Sequence, residues 1–597
     1  MNSEPAVVNN TPHRLLPSVL ACTLALGPWV AVADSDLQRR PGRDRPEPRI
    51  PEQPDPNRAS GIERIDPIRP PEDVEGRSLP VPDRWRIMNS LGVMEQNWWD
   101  PYSQNTYKAD KPLHDDWFLD VSLTSDTIYE PRRFPVPVSP QATTRSGELD
   151  LIGDGRQEVF AETLIAGLVY YKGDTVFRPP DYEYRLTVAG QYNRVETEQA
   201  RLLRADPGEG TDRTDDHIGV QEAFVDVHLR DVSPRYDFDS VRFGIQPFNA
   251  DFRGFLFQDE QFGARLFGTR DNNIFQYNLA WFRRIEKDTN SGLNDIEEGL
   301  RADDVFAANL YWQDFPALGF FTQATVVHNR NREGDENPHY NTNDFIERPA
   351  SLGLEKPRNY DVTYLGLSGD GHFGRLNLTG SMYYAFGEQD RGVFLDQPTD
   401  IRAGFAAAEA SIDFDWTRVR LSGLYASGDD DPFDDVSTGF DAIFENPQFA
   451  GADTSFWIRQ PVPLIGGGRV NLSGRNGILN SLRSSKEEGQ SNFDNPGMIL
   501  LGIGTDHDLT PQWRVSTNIN QLWFDETAVL EVARQQADID PEIGTDISIA
   551  SIYRPLFSQN IVFRASAATL VPGDGYSQLF DDDKEPWSVL FNLILTY

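Results

Sequence analysis

From Trp117 onward, apolar and polar residues alternate with a period of two, in stretches bounded by Gly, Pro, Asn and Asp. Successive side chains of a strand point to opposite faces, so each stretch reads as a β-strand with one apolar and one polar face. About 18 strands are predicted, over 117–129, 158–172, 182–196, 218–230, 236–248, 261–268, 273–286, 303–313, 317–328, 360–370, 374–387, 401–414, 417–427, 498–507, 512–524, 543–553, 558–570 and 587–597.

Long and short connections take turns between these strands. Short turns at Ser233-Pro234, Asp271-Asn272, Phe315-Pro316, Asp370-Gly371, Asp415-Trp416, Thr510-Pro511 and Pro555-Leu556 interleave with long segments near 197–217, 287–302, 329–359, 388–400, 428–497, 525–542 and 571–586. The segment 249–260 is compact and breaks the pattern mildly. A soluble sandwich has no reason to sort its loops by length onto two sides, whereas a transmembrane barrel has short periplasmic turns and long extracellular loops. The last stretch puts Trp587, Val589, Phe591, Leu593, Leu595 and Tyr597 on one face, ending on an aromatic residue. The fold class predicted is all-β, a transmembrane antiparallel barrel of about 18 strands over residues 117–597.

Alternation also names the inner wall, because a slip of one residue would place charges in lipid. With Val241, Phe243 and Ile245 facing out, Arg242, Gly244 and Gln246 face water; with Ala223, Val225, Val227 and Leu229 out, Glu222, Phe224, Asp226 and His228 lie inside. Arg185, Arg242, Arg265, Arg284, Arg420, Arg514 and Arg564 fall on inward positions of different strands. Charged rings set ion preference in a pore. These arginines could form a ladder for anions or sugar acids, or each could neutralise a lumen carboxylate across a strand, as Glu222 and Asp226 would allow.

Three stretches resemble the alginate-export family of outer-membrane porins: Gln221-Glu222-Ala223-Phe224-Val225-Asp226 with Val241 to Gln246; Tyr425-Ala426-Ser427-Gly428-Asp429-Asp430; and Phe563-Arg564 with Val571-Pro572-Gly573-Asp574-Gly575-Tyr576. The resemblance implies an 18-stranded barrel that passes an anionic polysaccharide, with lumen arginines at Arg242 and Arg564. The segments before the barrel depart from that family.

The N-terminus has His13-Arg14, an apolar run from Leu15 to Val32 and Ala31-Val32-Ala33, the order of a cleaved secretory signal over residues 1–33. Cys22 lies inside it and is the only cysteine, so a mature chain has no disulfide and no thiolate chemistry. Residues 34–82 are rich in Pro, Arg, Asp and Glu, and read as a disordered periplasmic tail, a solvated linker or a contact for a periplasmic partner. Residues 83–116 are read as a pre-barrel unit, with a short amphipathic helix over Arg84 to Gln96 and an aromatic segment at Trp98-Trp99 that plugs the lumen or caps its periplasmic end.

The formal net charge of -38, with Lys+Arg 55 against Asp+Glu 93, argues against nucleic acid as a partner, since phosphate binding needs concentrated basic side chains. The expected partners are outer-membrane lipid and lipopolysaccharide, the barrel-assembly machinery that reads the terminal strand, and a polar or anionic solute. No cofactor and no metal site is predicted: the acidic run Asp429, Asp430, Asp431, Asp434 and Asp435 lacks the spacing of a calcium loop and reads as a solvated surface. Nor is an enzyme predicted. His228 with Asp226 could form a base and its orienter, but no serine accompanies them, and Gly466-Gly467-Gly468 has no strand-to-helix context for phosphate. The sequence thus predicts an outer-membrane porin or exporter, with a sleeve for a partner protein or a rim enzyme as alternatives.

Overall fold

The computed structural model describes residues 105–110, 112–133, 155–173, 179–198, 202–235, 237–451, 481–556, 559–580 and 585–597. The predicted signal, tail, amphipathic helix, Trp98-Trp99 segment and triple glycine lie outside them. Eighteen long strands follow one another in chain order. The first six are β1 Trp117–Arg133, β2 Arg156–Lys172, β3 Tyr182–Thr197, β4 Asp212–Asp231, β5 Phe238–Asn249 and β6 Gln258–Arg270. Then come β7 Phe275–Ile285, β8 Leu300–Trp312, β9 Phe320–Asn331, β10 Tyr360–Phe373, β11 Leu376–Gln389 and β12 Thr399–Phe414. The last six are β13 Thr417–Ala426, β14 Met498–Thr510, β15 Trp513–Trp523, β16 Glu542–Tyr553, β17 Ile561–Pro572 and β18 Trp587–Thr596. Each pairs antiparallel with its neighbours in sequence, and β18 pairs with β1 from Thr124↔Thr596 to Arg133↔Trp587, so the sheet has no open edge. The two-residue segment Val436–Ser437 joins the same sheet by a parallel pairing on β12.

Closure satisfies the ladder of backbone hydrogen bonds without water, which is what a hydrocarbon layer demands. The outward positions carry large apolar side chains that stay exposed, among them Leu164, Val225, Phe243, Leu279, Leu310, Leu365, Met382, Leu421, Leu501 and Ile549. Aromatic residues gather near the short turns, where Trp117 stacks on Tyr170 and Trp312 on Phe315. At the other border a row of charges crosses five strands in register: Arg283, Asp304, Arg330, Asp361 and Glu388. An apolar outer band bounded in this way, on a closed antiparallel barrel, is the architecture of an outer-membrane protein.

β1 extends past the end of β18, and an uncovered strand edge is a template for unwanted pairing. The chain immediately before β1 covers it. Val121 N–H donates to the Tyr107 carbonyl and Ala109 N–H to the Leu119 carbonyl, both at 2.8 Å. Asn105 donates its side-chain amide to the Tyr597 hydroxyl at 2.9 Å, and the Lys108 ammonium lies 4.4 Å from the centre of that ring.

β4 contains a phase change that alternation alone conceals. Thr187 pairs with Glu222 but Val188 with Val220, so Gln221 is an extra residue. A bulge of this kind shifts the side-chain phase by one. Before it the even position Ile218 points outward and is exposed; after it the odd positions Val225 and Leu229 do.

Candidate functional site

The interior of the barrel divides into two halves. Toward the short turns, its inner wall is polar and charged. Toward the long loops, inward positions on β8 to β15 turn apolar: Val305, Val327, Val362, Ala385, Ile401, Ala403, Leu424, Met498, Leu500 and Leu522 are all buried. A solvated lumen would not bury such residues; inserted loops do. Phe255 and Phe257 of the connection 250–257, and Phe440, Phe444 and Phe493 of the connection 427–497, pack on this wall in one apolar cluster.

The connection 250–257 is a hub organised by two groups. The Ala250 carbonyl accepts from Asn309 Nδ2 at 3.0 Å, Gln323 Nε2 at 2.7 Å and Thr325 Oγ1 at 3.3 Å, which ties it to β8 and β9. The Asp251 carboxylate, 3 % exposed, accepts from the backbone N–H groups of Arg253, Gly254, Phe255 and Leu256 and from the Tyr383 hydroxyl at 2.8 Å. An anion with this many donors is well compensated for leaving water. Arg253 then reaches Thr379 on β11 and the Gln448 carbonyl, each at 3.1 Å, with Glu409 of β12 at 3.7 Å.

The two loops are joined by their backbones. Ile443 and Phe444 N–H donate to the Leu256 carbonyl, Gln258 N–H to that of Phe444, Asn446 N–H to that of Gly254 and Gln448 N–H to that of Arg253. Gly254, at φ +77°, has the Asn446 carbonyl where a Cβ would stand, at 2.6 Å, so only glycine fits this approach.

The return limb of the long loop is held by buried arginines, two from the wall and Arg348 from the connection between β9 and β10. Arg284 donates to the Glu487 carbonyl at 3.3 Å, Arg301 to those of Glu487 and Gly489, and Arg348 to that of Glu488 at 2.8 Å. Their charges are met by Asp303 for Arg284, Glu333 for Arg301, and Glu286 with Glu333 for Arg348.

This arrangement sorts the inward arginines. Arg185 lies 3.0 Å from Glu183 and 3.6 Å from Glu222, which also takes the Thr187 hydroxyl. Arg242 binds Asp226 through Nε at 3.0 Å and Nη2 at 2.9 Å, above the Phe224 ring at 4.1 Å. Arg420 pairs with Asp506 at 3.2 Å and Arg514 with Asp508 at 2.7 Å. Arg265 stands directly opposite Arg242 in the ladder, but bonds Asn278 at 2.7 Å rather than a carboxylate. Arg564 is exposed on the inner face of β17, with no ion pair among the described residues; Asp126 of β1 is the anion that feels it. Arg284 is a correction. It points inward as alternation requires, but is 1 % exposed beneath the long loop and serves as a loop anchor rather than a contact with water.

Two other readings change. His228 bonds Asp231 at 2.9 Å instead of Asp226, which belongs to Arg242. Asp429, read as part of a solvated acidic surface, is buried at the root of the long loop. Among the described residues, no group of three or more His, Cys, Asp or Glu side chains is placed to hold a metal.

No family model matches this chain, and no curated protein matches it. Solved structures do. OccK9 (OpdG) of Pseudomonas aeruginosa is similar with a TM-score of 0.43 and 12% identity, over 80% of this chain and 98% of that one. OccAB3 of Acinetobacter baumannii gives 0.42 and 11%, over 80% and 99%. A BenF-like porin from Pseudomonas fluorescens Pf-5 gives 0.43 and 12%, over 80% and 98%. These are distant likenesses between barrels, and they give no support to the alginate-export resemblance in particular.

Proposed function

We propose that this protein is a porin of the outer membrane that gives passive passage to polar solutes, with a bias toward anions. The observation that carries the reading is the polar wall of the short-turn half, with Arg564, which has no ion pair among the described residues, and the Arg242 and Arg265 pair, leading to two inserted loops. An inserted apolar cluster also fills the space that a sleeve around a partner protein would need. Alginate or another acidic polysaccharide is one candidate cargo.

Reversal potentials of the purified protein in planar bilayers under a salt gradient test this. The wild type is expected to prefer anions. Arg564→Ala removes an exposed positive charge and should weaken that preference moderately. Arg242→Ala also leaves Asp226 facing Arg265 alone, so this group goes from net positive to neutral and the preference for anions should weaken here too. Cation preference in the wild type, or no conductance at all, would reject the proposal.

A further inference from the structure

The root of the long loop, where 427–438 meets 494–497 and 524–527, is built from acids. Asp429 N–H donates to the Asn495 carbonyl at 2.8 Å, and Asp429 Oδ1 accepts from Thr438 N–H at 2.9 Å and lies 3.3 Å from the Thr438 hydroxyl. That hydroxyl is also 2.9 Å from the Gly428 carbonyl, so its single proton cannot serve both acceptors. Asp429 is 1 % exposed, and its other oxygen, Oδ2, has no hydrogen-bond partner. Asp494 of the return limb and Asp434 of the same loop face it, and no cation lies within ion-pair distance among the described residues. Asp525, from the neighbouring connection, accepts from Gly428 N–H at 2.9 Å and from the Tyr425 hydroxyl at 3.1 Å, with Glu526 beside it. A positive charge that faces this group of acids is Arg358, which acts on Asp494 from the segment before β10.

We infer that this root is a proton-operated latch: the long loop stays seated inside the barrel while Asp429 carries a proton, and ionisation of Asp429 favours its release. A protonated Asp429 is a neutral group with its one strong acceptor used. An ionised one is a buried anion that faces two carboxylates with a bare oxygen. Burial first, and then Asp494 and Asp434, push its carboxyl up to about 7, and burial raises Asp525 as well. The sign follows from proton counting. Between the ordinary carboxylate range and pH 7 the seated state binds more protons than the released one, so seating strengthens as pH falls below 7 and is weakest above it. The contacts that the loop makes inside the barrel set the baseline on which this acts.

The inference concerns loop seating and can be read without any conductance. Lys486 is a buried trypsin site in the return limb, and Arg483 is a second whose side chain is buried against Asp441. Cleavage at these two positions, followed by mass spectrometry on the folded protein in detergent, should report their release. With rates normalised at each pH to Asp429→Asn, the wild type should be cut about tenfold faster at pH 8.5 than at pH 6. Asp430→Asn, at an exposed neighbour, should keep the wild-type response. Equal relative rates at both pH values, with both barrels folded, would overturn the latch. A heat-modifiable gel band shows that each variant is folded. Loss of conductance with the protease response intact would reject the pore and leave the latch standing.

Discussion

Asp251→Ala is expected to free both inserted loops and raise single-channel conductance. The substitution deletes the acceptor of four backbone N–H groups and of the Tyr383 hydroxyl, all of which lie in a dry region. Each bond to a charged acceptor contributes about 1.5 to 3 kcal/mol, and orphaned buried donors add a desolvation cost. Even allowing for strong non-additivity, a loss of about 3 kcal/mol in seating of 250–257 is expected. The long loop shares four backbone hydrogen bonds with that connection and a fifth with Gln258 at its end, so it should loosen too. Conductance larger and noisier than wild type, in a barrel that still migrates as folded, is the expected recording. Wild-type conductance would mean that the permeation path runs elsewhere.

Glu333→Ala is expected to cost about 3 to 5 kcal/mol, the range for breaking a buried ion pair by removing one partner. Glu333 receives Arg301 at 2.8 and 3.0 Å and Asn331 at 2.7 Å, and Arg348 lies 3.5 Å away. Arg301 would lose its anion and Arg348 would keep only Glu286, and both hold the return limb of the long loop. A lowered thermal transition in detergent and earlier cleavage at Lys486 are the measurements. The native network also predicts an acid limit. Burial alone would raise the Glu333 carboxyl, but Arg301 and Arg348 hold it down at about 2, so its contribution is complete above the ordinary glutamate range and is lost as pH falls toward 2. A transition unmoved by the substitution would show that Glu286 alone compensates both arginines.

The strands were legible because lipid imposes one apolar face on each, and all eighteen lie where alternation puts them. Arg185, Arg242, Arg265, Arg420, Arg514 and Arg564 point inward for the same reason. Which of them meets water was not legible, because an inward position can face either solvent or an inserted loop. The signal for insertion was present as a breakdown of alternation: Met498-Ile499-Leu500-Leu501 and Tyr383-Tyr384-Ala385-Phe386 are apolar on both faces, and both abut the inserted loops. The compact connection 249–260 looked like a weak exception among long loops. Its brevity is what lets it turn directly into the barrel. The Gln221 bulge and the partners of His228 and Asp429 depend on register and loop path, which composition and periodicity do not encode.

The polar part of the junction between the two inserted loops is made by main-chain atoms, and its apolar part by Phe255, Phe257 and Phe444. The half-buried Asn446 and exposed Gln448 side chains are therefore open to replacement without parting the loops, whereas Phe255, Phe257 and Phe444 are not. Variants of this barrel can in that way acquire new cargo preferences by changing what lines the narrowing, while the shape of the narrowing is inherited intact.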